Sequence, residues 1–134
     1  MIKNSMQLEM ENEVKKYLPD IKIVWSNKLT RALGNANFAK NIIKFSVYLD
    51  WSRRDSNFKV VYHEVAHILS EKNNMNFRPL NNKEAHGELF CIEYAKLLEL
   101  NGFDIPEDRE KMRYVDYMMD ITRKRLDSRY NKFR

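Results

Sequence analysis

Residues 60–69, VVYHEVAHIL, place His63 and His67 four residues apart, with Glu64 directly after the first histidine. On a helix, residues at that spacing stand one turn apart on the same face. Two imidazoles so placed can take neighbouring corners of one zinc tetrahedron. Glu64 projects near the same face, where it can reach a water molecule at the cation's open position. Zinc lowers the pKa of such a water to about 7. A glutamate can accept its proton as it attacks a carbonyl, then deliver that proton to a leaving amine. The chemistry this spacing encodes is hydrolysis of an amide.

A site of this kind needs a third protein ligand. The chain has three histidines, and the third, His86, lies 19 residues after His67 in KEAHGELF. A helix–loop–helix return would bring it back over the metal, and Gly87 beside it allows close backbone approach. Glu84, Glu88 and Glu93 are the carboxylate alternatives for that corner. His86 is preferred because all three histidines then share one explanation. Three imidazoles suit Zn2+ best among the common cations. Tyr62 and Tyr94 are phenols that could donate to an oxyanion, although core positions are the plainer reading for both, as for Trp25 and Trp51.

The elements that must carry these residues follow from periodicity. Residues 5–18 read as a helix, with Leu8, Val14 and Leu18 apolar and Pro19 as the stop. Residues 21–33 read as one strand or two short ones, and Gly34-Asn35 reads as a turn. In residues 42–49, Ile43, Phe45, Val47 and Leu49 alternate with Lys44, Ser46 and Tyr48, the pattern of a half-buried strand. A helix over 55–72, capped by Asp55 or Ser56, has a core stripe of Phe58, Val61, Val65 and Leu69. That stripe lies opposite the histidines. A third helix is expected over 83–100, with Asn82 as its cap and Asn101-Gly102 as its stop. Pro106 suits the first turn of a last helix over 106–130. The order is helix, short strands, then further helices. No helix separates the strands, so the expected architecture is α+β with a small antiparallel sheet.

The bulk numbers bound the rest. A chain of 134 residues with 43% hydrophobic residues is one ordinary domain, 1–134. No stretch approaches the roughly 20 apolar residues of a membrane helix, and the first residues lack the apolar region of a secretory signal. The expectation is a cytoplasmic protein with no membrane partner. Cys91 is the lone cysteine, which excludes an internal disulfide and a cysteine-based zinc ribbon; in LFCIEYA it reads as a buried small residue. The net charge is +5, and the last 14 residues hold six basic residues and one acidic one, so the first 120 balance. Arg123, Lys124, Arg125, Arg129 and Lys132 are therefore candidate contacts for DNA. Basic residues also suit a helix C-terminus through its dipole.

Taken together, the stretches VWSNKLTRALGNA, NIIKFSVYLD, VVYHEVAHIL and KEAHGELF resemble the SprT-like metalloproteases, the group that includes Spartan. The matching positions are Leu29, Thr30, Arg31, Leu33 and Gly34, then Ile43 and Ser46, then His63, Glu64 and His67, then His86, Gly87 and Phe90. They span a core of about residues 22–100, followed by the basic C-terminal helix of 106–134. The resemblance implies a zincin-like fold, zinc held by His63, His67 and His86, and Glu64 as the base. It also implies protein or peptide substrates, which can be proteins bound to DNA, and a sheet edge on which a substrate strand can pair. Many relatives carry a cysteine zinc ribbon after this core, and this chain cannot.

Three functions share these residues. The first is a zinc-dependent metallopeptidase. The second is a zinc hydrolase of another amide substrate, since attack on a carbonyl is common to both. The third is a non-catalytic, DNA-associated zinc-binding module, which would fill all four corners with protein ligands. Cys91 would have to be the fourth, but it follows His86 by five residues, a poor match to one helix face.

Overall fold

A computed structural model of the chain describes residues 2–74 and 88–104. His86, Glu84, the expected Asn82 cap, the expected helix over 106–130 and the basic residues Arg123, Lys124, Arg125, Arg129 and Lys132 lie outside the described residues, as does the side chain of Glu88. The chain divides into two compact units, Met1–Ile68 and a second that begins at Leu69.

The first unit opens with helix α1, Ser5–Tyr17, which begins at a reciprocal cap. Asn4 Oδ1 accepts from the Gln7 N–H at 2.8 Å, and Gln7 Oε1 accepts from the Asn4 N–H at 2.8 Å. Two otherwise orphaned donors are satisfied, a stabilisation of about 1 kcal/mol. Met10, Val14 and Leu18 form its buried stripe. Leu8, apolar like Val14 and Leu18, is 49% exposed. Two positions from Met10 is about 200° around a helix, which turns Leu8 to the solvent side.

Three strands follow: β1, Lys22–Ser26; β2, Gly34–Asn37; and β3, Ile42–Ser46. The sheet order is β1-β3-β2. β2 runs antiparallel to β3, but β1 runs parallel to it, so the sheet is mixed rather than antiparallel. Residues 27–41 make the crossover without a helix, carrying β2 around the far edge of β3. The turn of the β2–β3 hairpin is not at Gly34-Asn35, which instead open β2. It closes at Asn41, whose φ of 56° is left-handed, a conformation asparagine tolerates. Asn41 Nδ2 donates to the Asp20 carbonyl at 3.1 Å, and the Lys22 N–H donates to the Asn41 carbonyl at 3.0 Å. One residue thereby ties the hairpin turn to the start of β1.

Paired residues share a sheet face. Register aligns Trp25, Phe45 and Gly34 in one row and Ile23, Ile43 and Ala36 in another. Ile43 and Phe45 are fully buried, while Lys44 is exposed, as the alternation requires. The pattern breaks at Ser46, which is 2% exposed. Its hydroxyl donates to the Leu29 carbonyl at 2.7 Å and accepts from the Tyr48 N–H at 3.1 Å, so a polar side chain is satisfied inside the fold.

Helix α2, Arg54–Asn74, starts earlier than expected. Asp55 and Ser56 lie in its first turn rather than at its cap. The preceding loop is held by Asp50, whose Oδ1 accepts from the Ser52 N–H at 3.0 Å and the Ser52 hydroxyl at 2.6 Å. Asn57 Nδ2 donates to the Asp50 carbonyl at 2.9 Å. Phe58, Val61, Tyr62, Val65, Ala66 and Ile68 are buried; Leu69 is half-buried. Trp25 Nε1 donates to Glu11 Oε2 at 2.8 Å, fixing α1 on the row of the sheet that holds Phe45.

In the second unit, helix α3 spans Glu88–Leu100. Phe90 and Tyr94 stack at 5.6 Å between ring centroids, and Phe90, Cys91, Tyr94, Ala95, Leu97 and Leu98 are buried. Asn73 Nδ2 donates to Glu93 Oε1 at 2.8 Å. The helix stops where expected: Gly102 has a φ of 77°, its N–H donates to the Glu99 carbonyl at 3.1 Å, and the Phe103 N–H donates to the Leu98 carbonyl at 2.8 Å. That is a Schellman termination. Among the described residues no helix is long and apolar enough to cross a membrane.

Candidate metal centre

Between Val61 and Ile68 every residue of α2 is buried except His63 and His67, which are half-buried. Over this stretch the helix is thus enclosed nearly all round, opening at the turn that carries the two imidazoles. His63 Nε2 and His67 Nε2 are 3.2 Å apart, with their rings inclined at 71°. Zinc–nitrogen bonds of about 2.0–2.1 Å at tetrahedral angles separate two ligand nitrogens by roughly 3.3 Å. The observed spacing fits one shared cation. Without metal, the same spacing serves an N–H···N hydrogen bond between opposite tautomers.

Glu64 completes the cluster. Its Oε1 lies 3.8 Å from His63 Nε2, and His63, Glu64 and His67 offer ligand atoms all within 4.8 Å of one another. The glutamate is 4% exposed, and its Oε2 is buried with no hydrogen-bond partner among the described residues. A buried carboxylate left so costs free energy unless a cation or a water answers it. Desolvation accordingly pushes the Glu64 carboxyl up to about 8. A divalent cation at the imidazoles would act the other way and favour the ionised form. The donor set and the orphaned oxygen both fit a bound metal ion.

The ceiling over Glu64 is the first residue of β2. A Cβ built on Gly34 would lie 3.0 Å from Glu64 Cγ, 3.2 Å from its Cδ and 3.2 Å from the Lys44 carbonyl oxygen. Glycine stands there for lack of volume, since its φ is not in the left-handed range. Its role was not legible from the Gly-Asn pair, which reads as a turn.

Of the sequence candidates, the structure brings His63, Glu64 and His67 together. Within the second unit, Glu93 Oε1 accepts from Asn73 Nδ2. Tyr62 is not available to an oxyanion. Its hydroxyl donates to buried Glu13 Oε1 on α1 at 2.9 Å, which commits its single proton. Burial, together with that carboxylate, raises the phenol well above its ordinary range. Tyr94 is buried against Phe90.

Among known proteins, the model of the SprT-like family matches residues 3–109. No curated protein and no solved structure matches the chain.

Proposed function

The chain belongs to the SprT-like family, and from that membership and the His63–Glu64–His67 cluster we propose that it is a zinc-dependent metallopeptidase with a zincin-like core. The observation that carries this reading is the pair of Nε2 atoms 3.2 Å apart beside a buried, unpartnered carboxylate oxygen on the same helix. His63 and His67 hold the cation, and His86 is the proposed third ligand. When bound there, zinc supplies Lewis-acid activation of a water molecule at neutral pH. Glu64 takes that water's proton as it attacks the peptide carbonyl and returns it to the leaving amine. The enclosure around Glu64 keeps bulk solvent from competing for its charge.

Substrate binding is proposed along β2. Among the described strands it is an edge, and the Ser46 N–H donates to the Leu33 carbonyl at 3.0 Å. The ladder's alternation then turns the N–H and C=O of Gly34 and Ala36 away from β3. An extended peptide could pair there as a further strand. Proteins associated with DNA are the proposed substrate class, with Arg123, Lys124, Arg125, Arg129 and Lys132 contacting the nucleic acid.

The test is metal analysis and casein cleavage on the purified chain and two variants. His63→Ala should lose stoichiometric zinc. Glu64→Gln should keep zinc and lose cleavage by about 100-fold or more. Cleavage retained in Glu64→Gln removes the mechanism. Cleavage of small amides but of no peptide or protein would favour the amide-hydrolase reading instead.

A further inference from the structure

We propose that Gly34 is the positioning residue for Glu64, a steric slot in β2 that fixes where the carboxylate stands; the inference rests on the peptidase reading above and refines it.

Three observations converge on this residue. The first is volume. Any side chain at position 34 would begin 3.0 Å from Glu64 Cγ and 3.2 Å from Cδ. Contacts that short displace one partner. The Lys44 carbonyl at 3.2 Å is backbone within the central strand, so the glutamate is the group that would move. The second is confinement. Glu64 is 4% exposed and makes no hydrogen bond through Oε2 among the described residues. Oε1 faces His63 Nε2 at 3.8 Å, but Oε2 is held by packing alone among the described residues, and the Gly34 backbone is part of that packing. The third is connectivity. Gly34 shares its sheet row with Phe45 and Trp25, the row fixed to α1 through Glu11. The surface against Glu64 is thus part of a rigid layer.

The same residue faces two ways. Its Cα lies over the base, and ladder alternation points its N–H and C=O at the edge of β2 that carries no further strand among the described residues. A peptide paired on that edge would have its register set by the residue that sets the glutamate. The distance from scissile carbonyl to base would then be fixed through a single residue. A misplacement of about 1 Å at such a point can cost about 100-fold in rate.

The test is a double-mutant cycle on thermal stability of the metal-free protein, joined to kinetics of the zinc-loaded protein. Gly34→Ala should lower the melting midpoint by about 5 °C in the parent chain, the effect of overpacking a filled site. In a Glu64→Ala background the two glutamate atoms that the new Cβ would meet are gone and only the Lys44 carbonyl oxygen remains, so the same substitution should cost less than about 2 °C. Equal losses in both backgrounds would assign the clash to the strand itself and overturn the proposal. If Gly34→Ala does not fold, folding of the Gly34→Ala/Glu64→Ala chain supports the contact, and failure of both overturns it. With casein, Gly34→Ala should lower kcat at least about tenfold, with zinc content unchanged and KM within about twofold. A raised KM with unchanged kcat would make Gly34 an edge contact only and overturn its positioning role. A parent chain that cleaves nothing would sink the peptidase reading, and the melting cycle would still judge the contact.

Discussion

Tyr62 donates its phenolic proton to Glu13 across 49 residues of sequence, at 2.9 Å and out of solvent. The other oxygen of Glu13 pairs with Lys16 at 2.8 Å. α1 is thereby fastened to α2 one residue before His63. Tyr17 packs edge-on against the Tyr62 ring, with centroids 6.4 Å apart. Tyr62→Phe keeps the ring and removes the proton, leaving a buried carboxylate oxygen unanswered. Urea denaturation should report a loss of about 1–3 kcal/mol. A loss below about 0.5 kcal/mol would mean that water reaches Glu13 and that the fastening is by packing alone.

The metal-free protein should gain stability on mild acidification. Desolvation raises the Glu64 carboxyl to about 8 in the folded chain, from an ordinary value of 4.5. The folded state therefore holds a proton between those values that the unfolded state has released, and stability falls as pH rises through that window. The slope from this one group reaches at most about 1.4 kcal/mol per pH unit. The informative quantity is the difference between the parent chain and Glu64→Gln, which isolates this one carboxyl. That difference should shrink from pH 8 to pH 5 in chelator-treated samples. A difference independent of pH would show that Glu64 is ionised and solvated when the metal is absent.

Local signals carried much of the fold. The apolar Val14 and Leu18 of the first helix, the alternation through Ile43 and Phe45, and the Asn101-Gly102 stop each depend on neighbours within a few residues, and such patterns can be read from a single sequence. The pairing of β1 with β3 in parallel could not be read. Parallel order depends on which edge of β3 receives β2, and that choice is made by contacts far apart in the chain, such as Asn41 with Asp20. The cluster was legible for the same reason as the helices: His63 and His67 are brought together by one helical turn. Gly34 was misread as a turn because what requires a glycine there is Glu64, a residue 30 positions later that only the folded chain brings near. His86, the proposed third ligand, lies outside the described residues.

The stop of α3 offers a test of backbone strain free of packing. Gly102 has a φ of 77°, and a Cβ built there meets nothing within 4 Å. Any cost of Gly102→Ala must therefore come from holding an L-residue in the left-handed region. About 1 kcal/mol is expected from that cause, read as a lowered urea midpoint with an unchanged slope. Gly102→Asn should recover part of it, since asparagine adopts this conformation more readily. Equal losses for alanine and asparagine would place the cost elsewhere, in the hydrogen bonds from residues 102 and 103 that close the helix.

DNA contact is best tested by salt. If Arg123, Lys124, Arg125, Arg129 and Lys132 neutralise phosphates, the logarithm of the affinity for duplex DNA should fall linearly with the logarithm of salt concentration. Deleting residues 121–134 should then flatten that slope by up to about 4.5 units, since each of the five phosphate contacts contributes about 0.9. A slope untouched by the deletion would sink the basic end as the contact. The sheet would be the next place to look. Lys22, Lys28, Arg31, Lys40 and Lys44 fall in a stretch with no acidic residue between Asp20 and Asp50. None of the five is in an ion pair among the described residues, whereas Lys3, Lys16, Arg53 and Arg54 each are. Charge reversal at Lys44, on the exposed face of β3, would separate the two sources: it should leave the slope unchanged if the C-terminal residues carry the contact, and reduce it by roughly 1–2 units if the sheet does.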